Sequence, residues 1–152
     1  MIANSMDEVK GMLDTLWTLG QEILLQELVA ESRGKDVRAM VVGDRVVAAM
    51  RRTARAGEFR SNIHRGGVAE AVELGREFGE AAVKAARVMG LEVAGVDMLE
   101  ARTGPKIMEV NSSPGFEGLE AATGLDIASL YVQHAIEVGH AGHSGRRGGH
   151  LA

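Results

Sequence analysis

Three oxygen-bearing side chains in the C-terminal half have the types and spacing of a hard-cation site. Asp97 stands alone in the apolar run Val93-Ala94-Gly95-Val96-Asp97-Met98-Leu99, and Glu109 in Ile107-Met108-Glu109-Val110. A lone acid inside such a run needs a partner cation, because burying an unpaired carboxylate is costly. The two runs flank Arg102-Thr103-Gly104-Pro105 and read as the strands of a hairpin. Counting outwards from Thr103 sets Asp97 directly across from Glu109. Strand alternation sets Asn111 on the same face as Glu109, with Gly95 opposite Asn111 and adding no side chain. Two carboxylates and an amide oxygen above an open patch of sheet suit Mg²⁺, which takes few protein ligands and completes its shell with water and phosphate. The plainer reading is a solvated acidic pair, although like charges placed opposite each other destabilise a strand pair. The turn Asn111-Ser112-Ser113-Pro114-Gly115 is expected to lead the chain away from this patch.

A second constellation is basic. Arg51, Arg52, Arg55, Arg60, His64 and Arg65 crowd one segment in which Glu58 is the only acid from Arg51 to Gly67. Arg60-Ser61-Asn62 offers a guanidinium, a hydroxyl and an amide in succession, a set able to bind phosphate oxygens, with arginine doing so as a two-toothed fork. Gly66-Gly67 lets the backbone turn close to a ligand. A solvated loop or a nucleic-acid patch would look the same by charge alone. The acidic hairpin favours a nucleotide–metal site, since a metal-bound polyphosphate needs both halves.

The elements that must position these groups follow from periodicity. Met1-Ile2-Ala3 reads as the end of a strand. Ser5, with Glu8 three residues on, marks a helix start. Val9, Met12, Leu13, Leu16 and Trp17 recur at helical spacing up to Gly20. Ile23 to Val29 reads as a buried strand. Gly43-Asp44 suits a two-residue turn between two apolar runs. Counting outwards pairs Val41 with Val46, Ala39 with Ala48 and Val37 with Met50 on one core face, and sets Asp36 opposite Arg51, beside Arg38. Ala69 to Val72 reads as a short strand. A helix follows from about Arg76 to Met89, with Phe78, Ala82, Ala85, Ala86 and Met89 inward. A last helix runs from about Ile127 to Val138 with Asp126 as its cap. The pattern is α+β, a mostly antiparallel sheet with helices packed on one face.

Composition narrows the class. The chain has 152 residues, enough for one core. Its net charge of −4 argues against a general nucleic-acid binder, and the lack of cysteine excludes disulfides and thiolate metal sites. Apolar runs such as Ile23-Leu24-Leu25 are far too short to span a bilayer, and no signal peptide opens the chain, so no membrane role and a cytoplasmic location are expected. Residues 139–152 hold His140, His143 and His150 among glycines with little to bury, and read as a disordered tail rather than a metal site.

With these residues in view, the chain resembles the C-terminal portion of RimK-type ATP-grasp ligases, which add glutamate to the C-terminus of a ribosomal protein. The resemblance runs from about Ile23 to Ile136 and rests on QELVAESRGKDVR, VVGDRVVAAMRR, FRSNIHRGG, VAGVDMLEA and MEVNSSPGFEGLEAATGLDIA, in order and at matching spacing. Lysine-biosynthesis ligases share the acidic hairpin and the Arg-Ser-Asn run less closely.

The resemblance implies that the backbone at Glu27 and Leu28 binds adenine, with Leu28 standing where an aromatic is common. It implies that Asp36 contacts ATP and that Arg60, Ser61 and Asn62 bind its phosphates. Asp97, Glu109 and Asn111 would ligate Mg²⁺ or Mn²⁺, two ions in all, with Arg60 offsetting charge on the transferred phosphoryl group. Arg51, Arg52 and Arg65 are weaker candidates for holding glutamate or an acidic acceptor. The implied partners are ATP, glutamate and an acidic protein C-terminus such as that of a ribosomal protein, in a homo-oligomeric full-length parent.

Family members carry an upstream domain and a glycine-rich phosphate loop with ATP-binding lysines. Neither Lys10 nor Lys35 matches those lysines. The chain is therefore expected to be a partial ATP-grasp domain over residues 1–138, marginally stable, prone to self-association and not competent as a ligase alone. Three readings stand side by side: a fragment of an ATP-dependent glutamate ligase, or of a related amino-acid biosynthesis ligase; a non-catalytic nucleotide- or metal-binding remnant; and an RNA- or ribosome-associated protein using the basic loop without ATP.

Overall fold

The computed structural model describes residues 1–55 and 67–144, the last four as backbone alone. It comprises two compact units, Met1–Ala30 and Glu31–Ala152.

The first unit contains helix α1 (Met6–Thr18). Ser5 caps it as expected: the Glu8 amide donates to Ser5 Oγ at 3.2 Å. The Glu8 carboxylate reaches back one residue further than the expected box, accepting from the Asn4 amide at 2.8 Å. Val9, Met12, Leu13 and Leu16 are half-buried, whereas Trp17, read as part of the same stripe, is 63% exposed. Residues 1–3 and 23–29 are not strands, and Leu24 is 81% exposed. The apolar run was sufficient for a strand by composition. A strand also needs a neighbour to take its backbone hydrogen bonds, and this unit offers only a helix.

The second unit is built on a five-stranded sheet in the order β3-β2-β1-β4-β5, from β1 (Lys35–Val42), β2 (Arg45–Thr53), β3 (Val68–Ala71), β4 (Val93–Ala101) and β5 (Gly104–Asn111). Every neighbouring pair is antiparallel. The first hairpin turns at Gly43-Asp44, where Gly43 has φ +64°. Val41 pairs with Val46 as expected, but Met40 pairs with Ala48. Val47 is the extra residue of a β-bulge. Beyond it every partner moves by one: Ala39 faces Ala49, Val37 faces Arg51, and Asp36 faces Arg52 rather than Arg51. Slipping by one residue also changes face. Ala48 and Met50 therefore join Met40 and Val42, while Val37, Ala39 and Val41 line the opposite side.

Helix α2 (Arg76–Val88) lays Ala82 and Ala86 on Val37, Ala39, Val41, Val96 and Met98. Met89, expected inward, lies at its C-cap and is 60% exposed. Helices α3 (Glu117–Thr123) and α4 (Ile127–Ser144) bring Leu119 and Ile127 onto Met40, Val42, Ala48 and Met50. The α+β class and the antiparallel sheet are as read from sequence. The helices, however, cover both faces rather than one, because β1 is apolar on both sides between Ala39 and Val42. Asp126 caps α4, accepting from the Ser129 amide at 2.8 Å. The helix continues six residues past the end expected at Val138, into the segment read as tail. Among the described residues, no helix is long and apolar enough to cross a membrane.

Candidate functional site

The second hairpin places Asp97 opposite Glu109 and Gly95 opposite Asn111, as counted from the sequence. The route differs. The tight turn is Arg102-Thr103, with Ala101 paired to Gly104, and Met108 is an extra residue that restores the count. Residues directly opposed across a ladder present their side chains on one face, so Asp97 and Glu109 share a side of the sheet.

Their environments diverge. Glu109 is exposed and Asp97 is only 4% exposed. Asp97 is engaged by two guanidiniums. Arg38, its register partner on β1, donates Nε to Oδ1 and Nη2 to Oδ2, both at 2.7 Å. Arg52 Nη2 donates to Oδ2 at 2.9 Å, while Arg52 Nε donates to Asp36 Oδ1 at 2.5 Å. The result is a chain of alternating charge, Asp36–Arg52–Asp97–Arg38, with both carboxylates buried and both arginines half-buried. It lies on the same face as α3 and α4, on the half of the sheet away from the Gly43-Asp44 turn. Burial opposes the Arg52 charge, but the Asp36 hydrogen bond and the Asp97 and Asp36 charges outweigh it and leave its pKa raised.

The bulge at Val47 decides which arginine belongs to this chain. Arg52 enters it, and Arg51 points to the opposite face, where it forks onto Glu100 with bonds of 2.9 and 2.6 Å. The Arg51 hydrogen bond holds the Glu100 carboxyl below its usual range. Arg51 and Arg52, read together as substrate-holding candidates, serve different sides of the sheet.

Next to the acidic pair, Pro114 is buried over Gly95. A β-carbon built on Gly95 would lie 2.7 Å from Pro114 Cβ. The turn after Asn111 thus folds back onto the sheet instead of leading away, and the missing side chain at position 95 makes room for a proline ring. Among the described residues, Asn111 Nδ2 is buried with no hydrogen-bond partner. A buried polar group without a partner is a costly arrangement unless a ligand completes it.

This donor set fits a magnesium- or manganese-like ion. It offers hard oxygens only. Asp97 uses three of its roughly four acceptor positions on the arginines, which leaves one on Oδ1. Glu109 makes no ion pair among the described residues; Asn111 could ligate through Oδ1, while its unsatisfied Nδ2 is a donor suited to a phosphate oxygen rather than to the ion. Among the described residues, no group of three or more histidine, cysteine, aspartate or glutamate side chains gathers as a metal cluster. Asp97 and Glu109 therefore need Asn111 and ligand oxygens to complete a shell.

The other predicted residues are placed as follows. Glu27 and Leu28 lie in the irregular part of the first unit, exposed. Asp36 is 4% exposed, turned towards Arg52. Arg60, Ser61, Asn62 and Arg65 lie outside the described residues. Sequence reasoning missed Arg38 as a site residue. Its signal was present: a charge in the middle of an apolar strand, which the β1–β4 register sets directly opposite Asp97. A cavity of about 520 Å³ lies elsewhere, at the first hairpin turn, lined by Gly43, Arg45, Glu92, Leu130, His134 and Glu137. It contains none of the predicted site residues.

The sequence from residue 1 to 135 matches the model of the RimK-like ATP-grasp domain. The chain belongs to the RimK-like ATP-grasp family. Its sequence is 57% identical over 134 residues to a probable alpha-L-glutamate ligase of Rhodopirellula baltica, covering 88% of this chain and 33% of that protein. It is 50% identical over 137 residues to a probable alpha-L-glutamate ligase of Cellvibrio japonicus, covering 90% of this chain and 46% of that protein. The chain thus spans a third to a half of the length of these relatives. A solved structure of the ATP-grasp ligase PsnB, complexed with a phosphomimetic variant of its minimal precursor, Mg and ADP, superposes with a TM-score of 0.59. The match is at 29% identity, over 74% of this chain and 34% of that one.

Proposed function

We propose that this chain carries the metal- and phosphate-binding half of an ATP-dependent carboxylate–amine ligase that adds glutamate to an acidic protein C-terminus, such as that of a ribosomal protein. The observation that supports this most directly is the pairing of Asp97 with Glu109, two residues from Asn111, beside a half-buried arginine pair in a member of the RimK-like ATP-grasp family.

In this reading ATP gives its terminal phosphoryl group to a carboxylate oxygen, forming an acyl phosphate and releasing ADP. The amine nitrogen of glutamate then attacks the acyl carbon, expels phosphate and loses a proton, leaving an amide. Asp97, Glu109 and Asn111 hold Mg²⁺ or Mn²⁺, as one ion or two. When bound there, the ion supplies positive charge against the polyphosphate. Arg60 offsets charge on the transferred group, while Ser61 and Asn62 hold phosphate oxygens. Glu27 and Leu28 offer backbone groups to adenine. Asp36 acts as a positioning residue that fixes Arg52. Mutual placement of these groups is the main catalytic resource, because phosphoryl transfer depends on positioning and charge stabilisation. The reading also entails a cytoplasmic enzyme acting on a soluble acceptor, as a homo-oligomer when full length.

Calorimetric titration with ATP in excess Mg²⁺ tests the site. Glu109→Gln is expected to weaken binding at least tenfold, and Glu100→Gln, on the opposite face, to leave it unchanged. Equal affinity for wild type and Glu109→Gln overturns the metal assignment. The acceptor is read by mass after incubation of the longest reading frame with ATP, Mg²⁺, glutamate and a peptide ending in acidic residues. Glutamate joined to the peptide supports the proposal. Transfer to a free amino acid instead favours a ligase of amino-acid biosynthesis.

A further inference from the structure

Asp97 is committed before any ligand arrives. Three charge-assisted hydrogen bonds tie it to Arg38 and Arg52, and it is only 4% exposed. Arg52 is fixed from its other side by Asp36. The four charges cancel in pairs, which is the arrangement a buried ionic group needs. A bare divalent cation reaching Asp97 has to push a guanidinium off a carboxylate that already accepts three hydrogen bonds, and it leaves that guanidinium without its partner. Like charges this close in a poorly hydrated place repel strongly. The same cation arriving on a polyphosphate brings its own negative charge, and that charge gives the displaced guanidiniums a new partner.

We infer that Arg38 and Arg52 form a clamp that withholds Asp97 from bare divalent cations and yields it only to a cation carried by a polyphosphate. The inference rests on the metal reading of Asp97 and Glu109. Arg38 is the releasable member: it is the more exposed of the two, at 19% of its side chain against 12% for Arg52, and among the described residues it has no second carboxylate to hold it. The clamp makes the site selective for the metal–nucleotide complex and disfavours idle metal binding.

The test uses Mn²⁺ as the probe and does not depend on turnover. The spin-resonance signal of free Mn²⁺ reports its uptake by the protein alone. A preformed Mn²⁺–tripolyphosphate complex, titrated calorimetrically, reports the other arm. Wild-type protein is expected to bind the complex at least tenfold more tightly than Mn²⁺ alone, a comparison that needs no variant. Arg38→Gln should bind Mn²⁺ alone at least tenfold more tightly than wild type, and should bind the complex more weakly. Arg38→Lys keeps the charge and should stay close to wild type for Mn²⁺ alone. Adding Glu109→Gln to Arg38→Gln should abolish the gain, tying it to this site. If bare Mn²⁺ binds wild type as tightly as the complex, or if Arg38→Gln gains nothing while uptake still depends on Glu109, the clamp is overturned and the metal site stands. If no variant shows Glu109-dependent uptake with or without tripolyphosphate, the metal reading itself falls.

Discussion

The two faces of the sheet carry the same chemical unit, an arginine forked onto a carboxylate, in two different solvents. On one face Arg38 grips Asp97 with both oxygens nearly out of water, and Arg52 and Asp36 close the chain. On the other, Arg51 grips Glu100 with each side chain more than a third exposed. The hydrogen bonds have similar lengths. What differs is the cost of removing one partner. Water can replace Glu100 for Arg51, whereas little water reaches Arg38 and Asp97. Interactions alike in geometry are therefore expected to diverge widely in their effect on stability, and the buried one is the one with a ligand-dependent alternative.

The largest expected effect breaks the buried network. Asp97→Ala leaves Arg38 without its register partner and Arg52 half-paired, and should destabilise the fold by about 3–5 kcal/mol in urea denaturation, the usual cost of stripping one member from a buried ion pair. A loss below about 1 kcal/mol would mean that water enters the network freely. Next comes Gly95→Ala, which forces a methyl group into Pro114. Overpacking of this kind costs about 1–3 kcal/mol, and the same substitution should lower Mg²⁺-dependent nucleotide binding by shifting Asn111. Unchanged thermal stability would show that the turn moves aside without penalty.

The smallest effect belongs to the exposed pair. Glu100→Gln should cost less than about 1 kcal/mol at neutral pH, as partly exposed ion pairs generally do. Its pH dependence has a defined sign. The folded carboxyl titrates below its ordinary value of 4.5, so its contribution is complete above that pH and disappears as pH falls through the lowered value. Comparing wild type and Glu100→Gln in urea at pH 7 and below pH 4.5 should show the difference shrinking with acid. A difference that grows with acid would reverse the assignment.

Much of this was legible in the sequence, for identifiable reasons. Gly43-Asp44 declared its turn, and Ser5 and Asp126 declared their helix starts by offering side-chain oxygens where amides lack partners. The bulge at Val47 left no mark, because Val46-Val47-Ala48-Ala49 reads equally well in either register. That one residue moved Asp36 from Arg51 to Arg52 and sent the two arginines to opposite faces. In the second hairpin the turn sat half a residue from the assumed centre and Met108 bulged, and the two deviations cancelled at Asp97 and Glu109. The count reached the right pair by a route it did not foresee. Helix α3 was overlooked although Gly124, with φ +72°, marks its end. Ile23 to Val29 failed as a strand because pairing is a property of two segments, and one segment's composition cannot report it.

The placement of the ion network has a consequence for how the molecule assembles. Strands β1 and β2 close locally around a two-residue turn, as do β4 and β5, and the sheet is completed where β1 meets β4. Asp36 and Arg52 belong to one hairpin, 16 residues apart, whereas Arg38 and Asp97 are separated by 59 and meet only across that seam. Short loops close at lower entropic cost than long ones, so each hairpin has a head start over their union. Until the seam forms, Asp97 lacks its bonds to Arg38 and Arg52. The candidate metal site thus lies at a joint expected to close after the two hairpins it unites, and its ion pairs act as the fastening between them.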